Sequence, residues 1–119
     1  GDVYKRQELV DAAGEVLEGM DLMREKKLMA RFMKFIANNE AMVAYGEREV
    51  RKSLELGAVD TLLISEELKA EFVHELVEKA ELTSANVEFI STEFEEGSQL
   101  KRAFGGVAAL LRYKTAGYA

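Results

Sequence analysis

Cysteine, proline and tryptophan are absent from this chain, and there is a single histidine. Without cysteine there is no disulfide and no thiolate metal site, and one imidazole removes nearly every histidine-based site. The lack of proline suits a chain of regular elements joined by tight turns, with nine glycines available to make them. No apolar run approaches the length of a membrane span and no secretory signal is recognisable, so the expected location is cytoplasmic. Positive charge is also scarce: the formal net charge is −6, which argues against a surface built to wrap nucleic acid. One local exception, the crowd of Arg24, Lys26, Lys27, Arg31 and Lys34, reads as a solvated helix face.

What is present is an ordinary globular composition, 48% hydrophobic and 32% charged over 119 residues. That length supports one domain with one core. The organising stretch is Glu93 to Tyr113, EFEEGSQLKRAFGGVAALLRY. It reads as a short helix with an acidic start (Glu95 to Phe104), a turn at Gly105 and Gly106, and an apolar strand from Val107 to Tyr113. No polar residue falls between Val107 and Leu111, so both faces of that strand must be covered, which places it centrally in a sheet with helices on each side.

The remaining chain supplies those helices. Leu9, Ala13, Val16, Leu17 and Met20 recur at helical spacing, and Leu28, Phe32, Phe35 and Ile36 continue it after a phase shift. Gly14 and Gly19 weaken the first half by about 1 kcal/mol each relative to alanine. Asn38 and Asn39 are expected to end this helix, since asparagine tolerates the left-handed conformation and bonds to free backbone groups. Ala41 to Tyr45 then reads as a strand closed by Gly46, Glu47 to Leu56 as a helix with inward Val50 and Leu54, and Gly57 as its stop. Val59 to Ile64 is a second strand. Ser65 is the expected N-cap of a helix from Leu68 to Leu82, which Thr83 and Ser84 break. Val87 to Ile90 is a third strand. The alternation predicts an α/β fold, a three-layer α/β/α sandwich on a mixed sheet of about four strands with four helices.

No catalytic constellation emerges, and no cofactor or metal is expected. His74 stands among Glu71, Glu75 and Glu78, but one imidazole with carboxylates is a poor transition-metal site, and an exposed pair with Glu78 one turn away explains it. Gly105 and Gly106 follow a helix and precede a strand, the reverse of a phosphate-cradling order. Ser53, Ser65 and Ser98 have no partner base that spacing identifies. Met20, Met23, Met29 and Met33 read as core, although methionine faces also serve adaptable interfaces.

The run EEGSQLKRAFGGVAALLRY resembles the closing segment of the C-terminal domain of archaeal and eukaryotic class-1 peptide chain release factors, whose pattern is acidic-Gly-x-Gln followed by FGGI-x-x-ILRY. LMREKKLMARFMKFI (Leu22 to Ile36) and VAYGEREVRKSLELGAVDTLLISEEL (Val43 to Leu68) agree in the same order, so the resemblance covers about Glu8 to Lys114. Gly1 to Gln7 has no counterpart and is expected to be a tag or assembly leftover. Residues 8–38 look like the helix that connects to a preceding middle domain, and residues 39–119 like the C-terminal domain. The resemblance implies the ribosomal-protein architecture that in some relatives binds kink-turn RNA. It also implies a non-catalytic docking module in translation termination, acting with the ribosome in the full-length protein. Its partners would be a translational GTPase of the elongation factor 1 alpha type and the ABC-type recycling ATPase. By position in the pattern the contact candidates are Tyr45, Gly46, Glu47, Phe104, Gly105, Gly106 and Val107, with Phe104 and Val107 equally readable as core. Release factors of this type commonly insert a small subdomain between Leu68 and Glu71, often a zinc ribbon. Here the chain passes directly into the helix, as it does in the related rescue factor Pelota, which is the alternative reading. A kink-turn RNA-binding module is a further alternative, disfavoured by the acidic balance. A freed apolar face at Leu9, Val16 and Met20 would allow a dimer through the first helix.

Overall fold

A 24-residue helix, α1 (Glu15–Asn38), opens the computed structural model, which describes residues 15–113. The leader at residues 1–7 lies outside the described residues, and the dimer face at Leu9, Val16 and Met20 lies outside those whose side chains are described. Helix α1 stops where the Asn38 amide donates back to Lys34 O (3.1 Å) and Asn39 N–H donates to Phe35 O (2.7 Å). Asn39 sits at φ −155° and not in the left-handed region expected of the asparagine pair. A 3-10 turn over Glu40–Met42 follows, closed by Met42 N–H on Asn39 O (3.0 Å). Strand β1 is therefore only Val43–Tyr45, shorter than the expected Ala41 to Tyr45.

Helix α2 (Glu47–Glu55) ends as expected at Gly57, whose φ of 69° allows Ala58 N–H to reach Ser53 O and Gly57 N–H to reach Leu54 O, both 3.0 Å. This is a Schellman closure, which glycine adopts without side-chain strain. Strand β2 runs Val59–Ser65 and helix α3 runs Ala70–Leu82. Ser65 is thus not the cap of α3. It is the fully buried last residue of β2, and it closes a turn of its own: its Oγ accepts Glu67 N–H (3.3 Å) and its carbonyl accepts Leu68 N–H (3.0 Å). That turn delays the helix by two residues, and Lys69 stands at its N-cap without a side-chain bond. At the far end Ser84, at φ 59°, repeats the Schellman closure, with Ala85 N–H on Ala80 O (2.9 Å). Strand β3 (Asn86–Ile90), helix α4 (Glu95–Ala103) and strand β4 (Val107–Leu111) complete the chain, leaving Arg112 and Tyr113 beyond the strand they were expected to finish.

The sheet order is β1-β4-β2-β3, antiparallel except for the β2–β3 pair. Strand β4 is central, as its apolar run requires, and all five of its residues are buried. Its side chains alternate between two cores. Val107, Ala109 and Leu111 meet Val50 and Leu54 of α2 and Leu76 of α3. Ala108 and Leu110 meet Met29 and Phe32 of α1 and Leu100 of α4. The result is the expected three-layer α/β/α sandwich, and the stretch of α1 from Leu22 onward belongs to one of its outer layers.

One junction fixes how closely α4 approaches β3. Gly97 is buried, and a Cβ built on it would lie 1.9 Å from the Ser91 carbonyl oxygen. The Ser91 N–H donates to the buried Glu25 carboxylate (2.6 Å), and Ser91 Oγ accepts Glu93 N–H (3.0 Å). The glycine of the acidic-Gly-x-Gln pattern is therefore a contact glycine. Gly97→Ala must push the helix off that backbone and is expected to cost about 3 kcal/mol or more, read as a fall in the urea midpoint at unchanged m. Ser84→Gly, in contrast, removes a side chain from a left-handed position and should stabilise by roughly 0.5–1 kcal/mol. A loss of stability in that variant would mean that the left-handed backbone there is unstrained.

Candidate partner-docking surface

Three backbone hydrogen bonds draw separate segments into one corner of the sheet. Gly46 N–H donates to Val107 O (3.0 Å), Ser65 N–H to Gly106 O (2.8 Å) and Gly106 N–H to Leu100 O (2.8 Å). The turn before α2, the end of β2 and the turn before β4 thus meet. Gly105 and Gly106 both have positive φ, 76° and 84°, so the α4–β4 connection needs glycine for its backbone angles. Space adds a constraint at Gly106, whereas a Cβ on Gly105 would make only ordinary contact. A Cβ on Gly105 would stand 3.5 Å from Gly46 Cα, and one on Gly106 3.0 Å from Leu68 Cδ1.

Over this corner sits a triangle of rings. Phe104 is edge-on to both Tyr45 (5.1 Å) and Phe32 (5.2 Å), and Phe32 and Tyr45 are 6.4 Å apart. Phe32 is fully buried and anchors the group, while Tyr45 is 40% exposed. Edge-to-face geometry of this kind holds rings in place beyond what burial alone provides. Tyr45 is therefore presented to solvent on a stiff support.

All seven residues expected from the sequence converge here, but they do not share one exposure. Glu47 and Gly105 are exposed like Tyr45, and Gly46 and Phe104 are half-buried. Gly106 is buried and Val107 is 1% exposed, because Val107 points into the core beneath α2. The surface available to a partner is Tyr45, Gly46, Glu47, Phe104 and Gly105. Neither Phe32 nor Leu68 was readable as part of this corner, since nothing local ties them to Tyr45 or Gly106.

The corner runs into a charged face. Arg51 on α2 forks onto Glu75 of α3, Nε to Oε2 at 2.7 Å and Nη2 to Oε1 at 2.9 Å, and also donates to Glu47 Oε1 (3.1 Å). Lys79 reaches back to Glu55 (3.3 Å). His74 lies exposed on α3 with Glu78 3.4 Å away.

The family model for eRF1 domain 3 matches residues 22–115. This chain belongs to that family. Its sequence is 42% identical to peptide chain release factor subunit 1 of Archaeoglobus fulgidus, over 92% of this chain and 37% of that relative. It is thus a match to little more than a third of the relative's length. The alignment runs over 151 positions, whereas 92% of 119 residues is about 109, so about 40 positions of the relative have no counterpart in this domain 3. In structure, domain 3 is similar to the solved C-terminal domain of the Methanosarcina mazei peptide chain release factor, with a TM-score of 0.82, 36% identity and coverage of 91% of this chain and 93% of that one. It is also similar to a chain in a model of ribosome-bound archaeal Pelota and ABCE1, with a TM-score of 0.72, 35% identity and coverage of 89% and 30%.

The α2–α3 fork makes the stability of domain 3 depend on pH in a defined direction. The Arg51 hydrogen bond holds the Glu75 carboxyl below its usual 4.5, and Glu75 raises the guanidinium in turn. A carboxyl depressed by folding contributes stability above its unfolded pKa and loses it as pH falls through the folded value. Glu75→Gln is expected to be less stable than the parent at pH 7, with the gap closing as pH drops below 4.5. Urea titrations at pH 7, 5 and 3 check this, and a gap independent of pH would refute it.

Proposed function

We propose that this chain is the C-terminal module of an archaeal-type peptide chain release factor and works in translation termination in the cytoplasm. Its role is non-catalytic: it docks the translational GTPase that delivers the factor, of the elongation factor 1 alpha type, and afterwards the ABC-type recycling ATPase. Membership of the eRF1 domain 3 family, with 42% identity to an archaeal release factor, carries this reading. The corner at Tyr45 supports the docking role. An exposed tyrosine braced by two other rings, with glycine backbone beside it and a carboxylate at Glu47, has the form of an interface anchor, where an aromatic side chain can be buried by a partner at low entropic cost. Holding the GTPase there would couple GTP hydrolysis to the placing of a distant catalytic domain.

A second reading is the same module in a Pelota-like rescue factor. Two observations favour it: the direct passage from β2 into α3, and the 35% identity to a chain of the ribosome-bound Pelota and ABCE1 model. It uses the same surface for the same class of GTPase.

The deciding experiment is a titration of the 119-residue chain with archaeal elongation factor 1 alpha loaded with GTP or with GDP at moderate salt. Saturable binding that favours the GTP form is expected. Tyr45→Ala should weaken it about tenfold, roughly 1.4 kcal/mol, while His74→Ala on α3 leaves it unchanged. No binding at tens of micromolar by the folded chain, or equal binding by the Tyr45 variant, would overturn the docking surface.

A further inference from the structure

The strand that carries Tyr45 is also an edge of the sheet. Strand β1 pairs with β4 on one side only, in the register Val43–Leu110, Ala44–Ala109 and Tyr45–Ala108. In an antiparallel pair the backbone groups of successive residues point alternately toward the neighbouring strand and away from it. Gly46 N–H donates to Val107 O (3.0 Å), which fixes the phase. Ala44 and Gly46 therefore face β4, and Val43 and Tyr45 face outward. The Val43 N–H agrees, because it leaves the sheet and donates to Glu40 O in the 3-10 turn. Tyr45 has no such outlet: among the described residues no hydrogen bond engages its N–H or its carbonyl. Helix α2 does not claim that carbonyl, since its first bond, Val50 N–H to Gly46 O (3.0 Å), begins one residue later.

The outward side is open at this point. Tyr45 is 40% exposed, and a Cβ built on Gly46 would meet nothing within 4 Å. An N–H and a C=O on one residue, aimed the same way from a sheet edge, are the complement of one residue of an extended chain, which returns both hydrogen bonds as a close pair. The other edge strand, β3, is less suited to an added strand, because Glu88 stands at its middle, held by Arg24, and charge at an edge opposes pairing. With three residues β1 is too short to template an extended aggregate, yet long enough to seat one partner segment.

We propose, on the docking role assigned above to the Tyr45 corner, that the partner adds a short antiparallel segment to the outer edge of β1, one of its residues bonding both Tyr45 N–H and Tyr45 O. That central residue is apolar, because in a directly opposed pair its side chain lies on the same face as the Tyr45 ring and within reach of it. The residues flanking it turn to the other face, beside Ala44 and the open space at Gly46, where a large side chain has room. Backbone pairing supplies affinity for any extended chain, and the ring selects the central residue.

The free chain gives the first check. In an isotope-labelled sample the Tyr45 amide is expected to exchange with deuterated water near the unprotected rate, and the amides of Ala44 and Gly46 at least about tenfold more slowly. A Tyr45 amide as slow as those two would show a closed edge and overturn the proposal. The second check is a titration with archaeal elongation factor 1 alpha loaded with GTP. It compares the parent, Tyr45→Ala and a chain with the α-hydroxy analogue of tyrosine at position 45, which keeps the ring and replaces the amide N–H by an ester oxygen. The ester is expected to weaken binding about fivefold, with urea unfolding confirming that it folds, and the Tyr45 amide of the parent to gain protection in the complex. Weaker binding by Tyr45→Ala, with parent-like binding by the ester and an unprotected amide, would overturn strand addition and leave the ring as the docking contact. No binding by the parent would overturn both readings.

Discussion

Five consecutive apolar residues, Val107–Leu111, have to be hidden on both faces of a pleat at the same time. A strand can meet that demand only if it is hydrogen-bonded on both edges and roofed on both sides, and the rest of the molecule follows from meeting it. Strands β1 and β2 occupy the two edges, α2 and α3 one roof, and α1 and α4 the other. The two cores do not mix, since alternate residues of β4 serve opposite sides. A small side chain at Ala108 or Ala109 is matched by a large one across the gap, such as Phe32 or Leu54.

Close approach is the second constraint, and glycine sets it at two places. At Gly97 the helix α4 rests directly on the Ser91 backbone, which in turn is bonded to Glu25 of α1. Helices α1 and α4 are thus both tied to the backbone just after β3, at Ser91. At the opposite corner Gly106 lies close against Leu68, and the positive φ of Gly105 and Gly106 sets the path from Phe104 into β4. Tyr45 is braced there edge-on by Phe104 and Phe32. That makes it a fixed feature that a partner could use without first ordering it.

The two outer layers differ in how they handle charge. On the α2–α3 side cations and carboxylates are matched across helices, Arg51 with Glu75 and Glu47, Lys79 with Glu55. On the α1 side Arg24 pairs with Glu88 of β3, while Glu25 turns inward onto Ser91 N–H.

Much of this was legible in the residues themselves. The central place of β4, the helical spacing of Leu28, Phe32 and Ile36, the stop at Gly57 and the break at Thr83 and Ser84 are local matters of periodicity and backbone preference, which neighbouring residues decide. The pattern around EEGSQ and FGG was enough to point to the family. The tertiary structure alone decided the rest. Ser65 looks like a helix cap from its neighbours, yet it ends a buried strand because Gly106 offers its carbonyl to Ser65 N–H from across the sheet. Val107 and Gly106 sit in the same turn as exposed Gly105 but are buried, since the pleat and Leu68 above them determine which atoms see water. Phe32 joins Tyr45 and Phe104 only because α1 folds onto that edge, and Glu25 meets Ser91 at a separation of 66 residues. Contacts of that range depend on how the layers stack, and the spacing of residues along the chain carries no record of it.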